Sequence, residues 1–511
     1  MSTPGTRRCG HPARAVGRTS RAMAIGLAFT AAAVVAPVLR PTVPTLAVLA
    51  AVLATGCLAW NALWVGIPLT TPSMLYFVAL AVFHLGLVVP YAVDLAEPPA
   101  WLGSASEASL AAALACVLLA FSSLEIGLLV GWRALTRRPP AIRFTARRRR
   151  SASALYAGGV LACAVAAIAA ALNARSIGLD RFLSSSYGYE LYASTDSRLL
   201  QMGLFWLLPT GALIALAGAR QGIQTARGLV LVGGAALLLL FAGDRGGAVS
   251  LGAAALVVWT GTRGSLPRRV VIAACAVVLI LVPAIATLRQ LPRNGVNFAT
   301  AYEAARAASP LAALTEMGGS LRPLVETLRL VPTDASYRLG SSYLSAAGRL
   351  VPNLGLSRAD ADWRDPESLP PNHWITYAVA PWALASFEGL GFSAIAEPYL
   401  NFGIPGVLAY FLALGVVLGR LDLALARGQS RRRLALIAVV FMPLLLTVRN
   451  DFHNFVRPAV WGVGLVLLIE QVHGTQRQAQ RAFPPARPAA RVAGFAPPPG
   501  TDGLAPAVSA S

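Results

Sequence analysis

The stretch RNDFHNFVRP, residues 449–458, places several residues that can move protons or bind anions between two apolar runs. Asp451 and His453 can take a proton from a hydroxyl group, and an unperturbed imidazole titrates near neutral pH. Glu397 is the other candidate base, because a partly dehydrated carboxylate is a stronger base than one in water. A solvated turn at 449–458 and a structural ion pair at Glu397 are the alternative interpretations.

Arginines at the ends of apolar segments form a second chemical group: Arg245, Arg289, Arg449 and Arg457. A guanidinium group stays charged and holds phosphate oxygens in a two-pronged hydrogen-bonded fork. Partial burial of a cation at a membrane boundary costs free energy unless an anion compensates for it. The arginines therefore predict a pyrophosphate site. The alternative is simple pairing of Arg245 with Asp244 and of Arg449 with Asp451.

Side chains that suit sugar hydroxyls and ring faces occur in three further places. They are Tyr187 and Tyr189 in SSYGYELY, His373 and Trp374 in PPNHWITY, and Asn401. Anchoring in the headgroup layer explains the aromatic residues equally well. Asn401 also recurs at four-residue spacing with Ser393 and Glu397, so the three are expected to share one helical face.

The composition excludes a soluble protein of this size. Of 511 residues, 56% are hydrophobic and only 13% are charged, against roughly 25% charged in ordinary globular domains. The five cysteines are scattered singly, which predicts neither a metal site nor a disulfide framework. The expected fold is an all-α polytopic integral membrane protein.

Apolar segments long enough to cross a bilayer recur along the chain and predict about twelve transmembrane helices. They lie at 23–39, 44–66, 74–93, 109–131, 152–173, 199–219, 227–243, 247–262, 270–288, 402–421, 433–448 and 458–471. The domain order is then a basic cytoplasmic tail (1–22), helices one to nine (23–288), a long extracytoplasmic loop of short interfacial helices (289–401), helices ten to twelve (402–471), and a disordered cytoplasmic tail (472–511).

The net charge of +21 is interpreted through this topology. With both termini in the cytoplasm, most arginines fall on the cytoplasmic side and the outer side is nearly neutral, as the positive-inside rule expects. The basicity therefore indicates orientation and not nucleic-acid binding. The run RFTARRRR, ending at Arg150, suits contact with anionic lipid as well, although orientation explains it more simply.

Two features concern packing. RPLVETLRLVP (322–332) has Pro323 near its start and an apolar stripe, which predicts a helix lying in the membrane interface. His84, Asn61 and Glu125 fall within predicted spans, where hydrogen bonding between helices is the expected role.

Taken in order, several motifs resemble the O-antigen polymerases of the Wzy type. These motifs are the DRGG turn at 244–247, EMGGSLRPLVETLRLVP, PNHWITY, GFSAIAEPYLNFGIPG and RNDFHNFVRP. The resemblance covers roughly residues 180–470. It implies a C-type glycosyltransferase-like fold in the bacterial cytoplasmic membrane. The implied activity joins polyprenyl-pyrophosphate-linked oligosaccharide repeats into O-antigen, capsule or exopolysaccharide.

The resemblance also implies metal-independent catalysis with no cofactor, on an active site at the outer face. The outer arginines would bind the leaving pyrophosphate, and Glu397 or the Asp451/His453 pair would activate the acceptor hydroxyl. Expected partners are the lipid-linked donor and acceptor, the bilayer, a chain-length regulator and a flippase, with no nucleic acid.

Two other functions remain open. O-antigen ligases share the RG turn but carry a histidine followed by asparagine before their G-x-x-G span start, and no histidine precedes Gly403 and Gly406 closely here. A flippase or transporter of the same lipid-linked sugars is the other alternative. Transporters usually show paired halves, and the single long outer loop argues against one.

Overall fold

This computed structural model describes residues 42–136, 147–178, 202–220, 222–264, 310–348, 368–385, 389–426 and 430–482, besides a few isolated positions. Every regular element in these ranges is a helix. The helices of the first half are α1 (Val43–Trp60, continued by a π-helical turn Asn61–Val65), α2 (Pro72–Leu85), α3 (Val88–Ala92), α4 (Ala100–Ser104), α5 (Glu107–Thr136), α6 (Arg147–Ile177), α7 (Leu208–Gly218, preceded by a π-helical turn Gly203–Leu207), α8 (Ile223–Phe241) and α9 (Arg245–Arg263).

The second half begins with short helices and ends with three long ones. They are α10 (Pro310–Met317), a 3₁₀ turn (Gly318–Ser320), α11 (Leu321–Leu330), α12 (Ser341–Gly348), α13 (Pro371–Val379), α14 (Pro381–Ala385), α15 (Ala396–Ala426), α16 (Arg431–Leu446) and α17 (His453–Ala482). The last helix continues about ten residues beyond the predicted end of the final span.

The long apolar helices make the chain a multi-pass membrane protein. Within the described residues, six helices are long and apolar enough to cross a bilayer: Val43–Leu63, Glu107–Trp132, Ala152–Leu172, Ile223–Phe241, Ala396–Ala426 and His453–His473. Pro72–Leu85 and Gly203–Gly218 are shorter apolar helices. The count of about twelve stays a prediction, and the expected spans at 23–39 and 270–288 lie outside the described residues.

Helices α5 and α15 form the tightest seam of the bundle, through two reciprocal G-x-x-x-G pairs. A Cβ added at Gly127 would lie 2.1 Å from the Leu412 carbonyl oxygen, and one at Gly415 would lie 2.2 Å from that of Leu124. Gly131 and Gly419 make the same kind of approach one turn further on. Small residues let two membrane helices touch backbone to backbone, where dispersion contacts replace the missing hydrophobic driving force.

The α15 helix carries Glu397 at its start and is interrupted soon afterwards. Gly403 has φ 64° and ψ −153°, and Pro405 follows it. Glycine adopts this positive φ without the steric cost that a Cβ would impose. The break separates a first turn holding Glu397 and Asn401 from the long apolar part of the helix. The helix therefore begins before the predicted span at 402–421, inside the segment expected to be loop.

Helix α11 corrects one expectation. The predicted helix in RPLVETLRLVP is present, but the apolar residues Leu324 and Val325 face protein. They are 0% and 2% exposed, because α11 packs against α5 and α15. This part of the segment expected to be loop is thus joined to the bundle by protein contacts.

Candidate active site

Glu397 lies in a buried polar cluster between α12, α15 and the start of α17. Its side chain accepts a 2.9 Å hydrogen bond at Oε1 from Ser342 Oγ and a 2.7 Å bond at Oε2 from the Phe452 backbone N–H. The residue is only 4% exposed. Both carboxylate oxygens are therefore held in fixed positions by elements that are distant in the sequence.

Asn401 uses its whole amide group to hold the same cluster together. Its Nδ2 donates to Ser342 Oγ and to the Glu397 carbonyl, both at 2.8 Å, and its Oδ1 accepts from Gly340 N–H at 2.9 Å. Asn401 is fully buried. In this structure it joins α12 to α15, and its side chain does not face a surface where a glycan could bind.

Asp451 and His453 flank the Phe452 N–H that binds Glu397, so the structure brings the three candidate acid–base groups together. Asp451 is fully buried and accepts hydrogen bonds from Asn372 N–H (3.1 Å) and Asn454 Nδ2 (2.8 Å). His453 is partly exposed, and its Nε2 lies 3.2 Å from Ser345 Oγ.

Ser393, one turn before Glu397, connects this region to α2. Its hydroxyl accepts from Ile395 N–H and Ala396 N–H, and it lies 2.8 Å from His84 Nε2. His84 Nδ1 lies 3.0 Å from the Leu80 carbonyl. A neutral imidazole that donates from Nδ1 accepts at Nε2, so the Ser393 hydroxyl donates to His84.

The expected hydrogen bonding between helical segments is confirmed for Asn61, whose Nδ2 donates to Glu125 Oε2 of α5 at 2.7 Å. His84 of α2 binds Ser393 in the segment just before α15. The predicted common helical face is only partly correct. Ser393 precedes α15 and caps it, whereas Glu397 and Asn401 both contact Ser342.

Arg245 and its neighbours form the tight turn that the DRGG motif predicts. Asp244 caps α9, and its Oδ1 accepts a 2.7 Å hydrogen bond from Gly247 N–H. Arg245 Nη2 donates instead to Glu316 Oε1 at 2.7 Å. The alternative pairing of Arg245 with Asp244 is therefore wrong, since the aspartate caps the helix and Glu316 of α10 pairs with the arginine.

A cavity of about 70 Å³ brings together two of the four predicted pyrophosphate ligands. Its lining includes Arg245, Glu316, Arg449 and Asn450, together with apolar side chains of α2 and α16. Burial raises the pKa of Asp244, while the Gly247 N–H and the positive charge of Arg449 act in the opposite direction. Arg449 thus interacts electrostatically with Asp244. Asp451, the alternative partner of Arg449, accepts its hydrogen bonds from Asn372 and Asn454.

Backbone hydrogen bonds fix this cavity beside Glu397. Phe392 N–H donates to the Arg449 carbonyl at 2.7 Å, five residues before Glu397. Gly391 precedes it with φ 71°, and a Cβ there would lie 2.8 Å from the same carbonyl oxygen. Glycine is thus required by both the backbone angle and the close approach.

The other two arginines are placed differently. The Arg457 guanidinium lies 5.4 Å from the Trp206 ring centroid, within cation–π range, and Arg457 is not part of the cavity lining. Arg289 lies outside the described residues.

The residues predicted to bind glycan lie in different environments. Tyr187 and Tyr189 lie outside the described residues. His373 is exposed on α13. Trp374 is 5% exposed, and the Arg338 guanidinium lies 5.3 Å from its ring centroid. The indole is therefore covered by protein and supports Arg338.

Sequence reasoning did not single out Arg338, Ser342 or Ser345. Arg338 Nη1 donates to the Leu369 carbonyl at 2.8 Å. The backbone N–H of Arg338 donates to the Leu400 carbonyl at 3.0 Å. Serines and a loop arginine carry no signal of their own, because their contacts join segments about 30 to 110 residues apart.

Comparison with known proteins agrees with the motif resemblance. A family model described as O-antigen polysaccharide polymerase Wzy matches residues 26–476. No curated protein and no solved structure gave a match to the chain. Because the matched region is nearly the whole chain, the protein belongs to the O-antigen polysaccharide polymerase Wzy family.

Proposed function

We propose that this polymerase joins polyprenyl-pyrophosphate-linked oligosaccharide repeats on the outer face of the cytoplasmic membrane. The observation that carries the proposal is the shared cavity of Arg245 and Arg449, which lies beside the Glu397 cluster. Two guanidinium groups from α9 and from the α16–α17 turn suit the two phosphates of a diphosphate leaving group. The family supports lipid-linked oligosaccharide substrates.

In the proposed reaction, the acceptor hydroxyl oxygen attacks the anomeric carbon of the donor and forms the new glycosidic bond. The bond between that carbon and the pyrophosphate oxygen breaks, and its electron pair stays on the lipid pyrophosphate. Arg245 and Arg449 stabilise the charge that develops there. The hydroxyl proton moves to a base of the protein.

His453 is the base that the geometry favours. Its imidazole is partly exposed, whereas Glu397 and Asp451 are buried and each already accepts two hydrogen bonds. Glu397 and Asp451 then position the 451–453 segment through the hydrogen bonds that they accept. Independence from a metal ion stays a prediction.

Gene deletion tests the function in cells. Loss of long polysaccharide chains with single capped repeats retained is the expected result. Loss of all capping would indicate a ligase, and intact polysaccharide would exclude both activities. Loss of capping with the lipid-linked repeats retained on the inner face would instead favour a flippase.

A further inference from the structure

A second pair of arginines lies at the far ends of the two helices that build the proposed pyrophosphate site. Helices α9 and α16 pack antiparallel, since Gly246 lies against Leu446 at one end and Gly261 against Leu434 at the other. The 19 residues of α9 span about 28 Å at 1.5 Å per residue. Arg263 and Arg431 therefore lie about one hydrocarbon thickness from the Arg245 cavity.

Arg263 and Arg431 line one small cavity of about 10 Å³ with the side chains of Thr225, Trp259 and Thr262. The Arg263 guanidinium lies 4.8 Å from the Trp259 ring centroid. Arg431 Nη1 points across to the Ala217 carbonyl, at 3.4 Å, near the end of α7. This volume does not enclose a ligand, so a bound anion would lie at the mouth between the two guanidinium groups.

The charges of this pair are not balanced within the described part of the chain. The ion pairs in that part of the chain involve other arginines: they join Arg245 to Glu316, Arg329 to Glu326 and Arg432 to Glu470. The sequence on either side, SLPRR after Gly264 and RGQ before Ser430, contains no acid. Burial and the positive charge of Arg263 lower the pKa of Arg431. Two cations are thus held together at a cost that an anion would offset.

We propose that Arg263 and Arg431 bind the headgroup phosphate of an anionic phospholipid in the leaflet opposite the proposed catalytic cavity. Three observations favour a lipid over a soluble phosphate. The cavity lies at the ends of the predicted spans 247–262 and 433–448, and it opens without enclosing a ligand. Trp259 lies one turn from the same end of α9, and indole rings prefer the headgroup layer. A lipid held there would brace α9 and α16, the helices that carry Arg245 and lead to Arg449. The site itself does not depend on the proposed reaction.

The test titrates the purified full-length chain in detergent with fluorescently labelled phosphatidylglycerol, with labelled phosphatidylcholine for comparison. Each cation near an anionic lipid contributes about fivefold in affinity. Arg263→Gln combined with Arg431→Gln should therefore weaken phosphatidylglycerol binding about thirtyfold and leave phosphatidylcholine unchanged.

The matched control is Arg432→Gln combined with Arg433→Gln, which removes the same total charge from the first turn of α16, next to Arg431. It should weaken binding far less. An equal loss in this control would show a diffuse field and overturn the site. Equal competition by inorganic phosphate would overturn the assignment to a lipid. If the first double variant fails to fold, Arg263→Gln alone is decisive, because this exposed residue should still give about a fivefold loss.

Discussion

Arg245 Nη2 donates a 2.7 Å hydrogen bond to Glu316 Oε1, so a carboxylate already contacts the cavity where a pyrophosphate is proposed to bind. The Arg245 side chain is 13% exposed and that of Glu316 is 42% exposed. The arginine is thus fixed by its surroundings, while the glutamate can turn towards water. If the pyrophosphate binds as proposed, the pair holds Arg245 in position, and the lipid-linked glycan donor has to displace Glu316.

Glu316→Gln should therefore lower the KM for the lipid-linked donor and leave kcat nearly unchanged. A partly exposed ion pair contributes about 0.2–1 kcal/mol, so the decrease should be about 1.4- to fivefold. Steady-state polymerisation assays at varied donor concentration measure it. A higher KM in the variant would mean that Glu316 holds Arg245 in place, and the competition would be refuted.

His453→Gln should lower kcat by about 100-fold or more, because general base catalysis contributes about 10²–10⁴. Steady-state polymerisation assays with the folded variant measure this loss. A near-normal kcat in His453→Gln, with a loss of about 100-fold or more in Glu397→Gln, would transfer the role of base to Glu397.

Ser342→Ala should destabilise the polar cluster around Glu397, because one hydroxyl binds both Glu397 and Asn401. Leaving buried polar atoms without a partner costs about 1–3 kcal/mol. The apparent melting temperature in detergent should fall, and polymerisation should fall with it. Ser345→Ala is the control for stability, since Ser345 is exposed on the same helix. An unchanged melting temperature in Ser342→Ala would contradict the bridging role.

The sequence predicts the individual helices well and their contacts poorly. Segments 109–131 and 152–173 correspond to the candidate spans Glu107–Trp132 and Ala152–Leu172, because length and hydropathy alone determine a membrane helix. The DRGG turn also depends only on local sequence, since its glycines and the capping Asp244 lie within four consecutive residues. The partner of Arg245 was not predictable, because Glu316 lies 71 residues away in another helix.

The candidate site shows the same limit. Glu397, Asp451 and His453 were identified by residue type, but their convergence on the Phe452 N–H depends on how α15 meets α17. Trp374 shows the opposite case. An indole after a proline break suits the membrane interface, yet the Trp374 ring is buried in the protein and packs against the Arg338 guanidinium.

Gly415→Ala should weaken the seam between α5 and α15, because the new Cβ would lie 2.2 Å from the Leu124 carbonyl oxygen. Backbone cannot move aside as a flexible side chain can, so a loss of about 1–3 kcal/mol is expected. Thermal unfolding in detergent measures it. Gly233→Ala in α8, where nothing lies within 4 Å, is the matched control and should be neutral. Equal stability of both variants would contradict the tight seam.

In the proposed site, Arg245 and Arg449 hold one diphosphate between them. The direct measurement is chain extension by purified enzyme in proteoliposomes, for Arg245→Ala and Arg449→Ala with Arg457→Ala as the comparison outside the cavity lining. Loss of one such electrostatic donor costs about 10²–10³ in rate. We expect a loss of this size in Arg245→Ala and Arg449→Ala and a much smaller one in Arg457→Ala. Normal extension in Arg245→Ala and Arg449→Ala, with all variants folded, would contradict the proposed site.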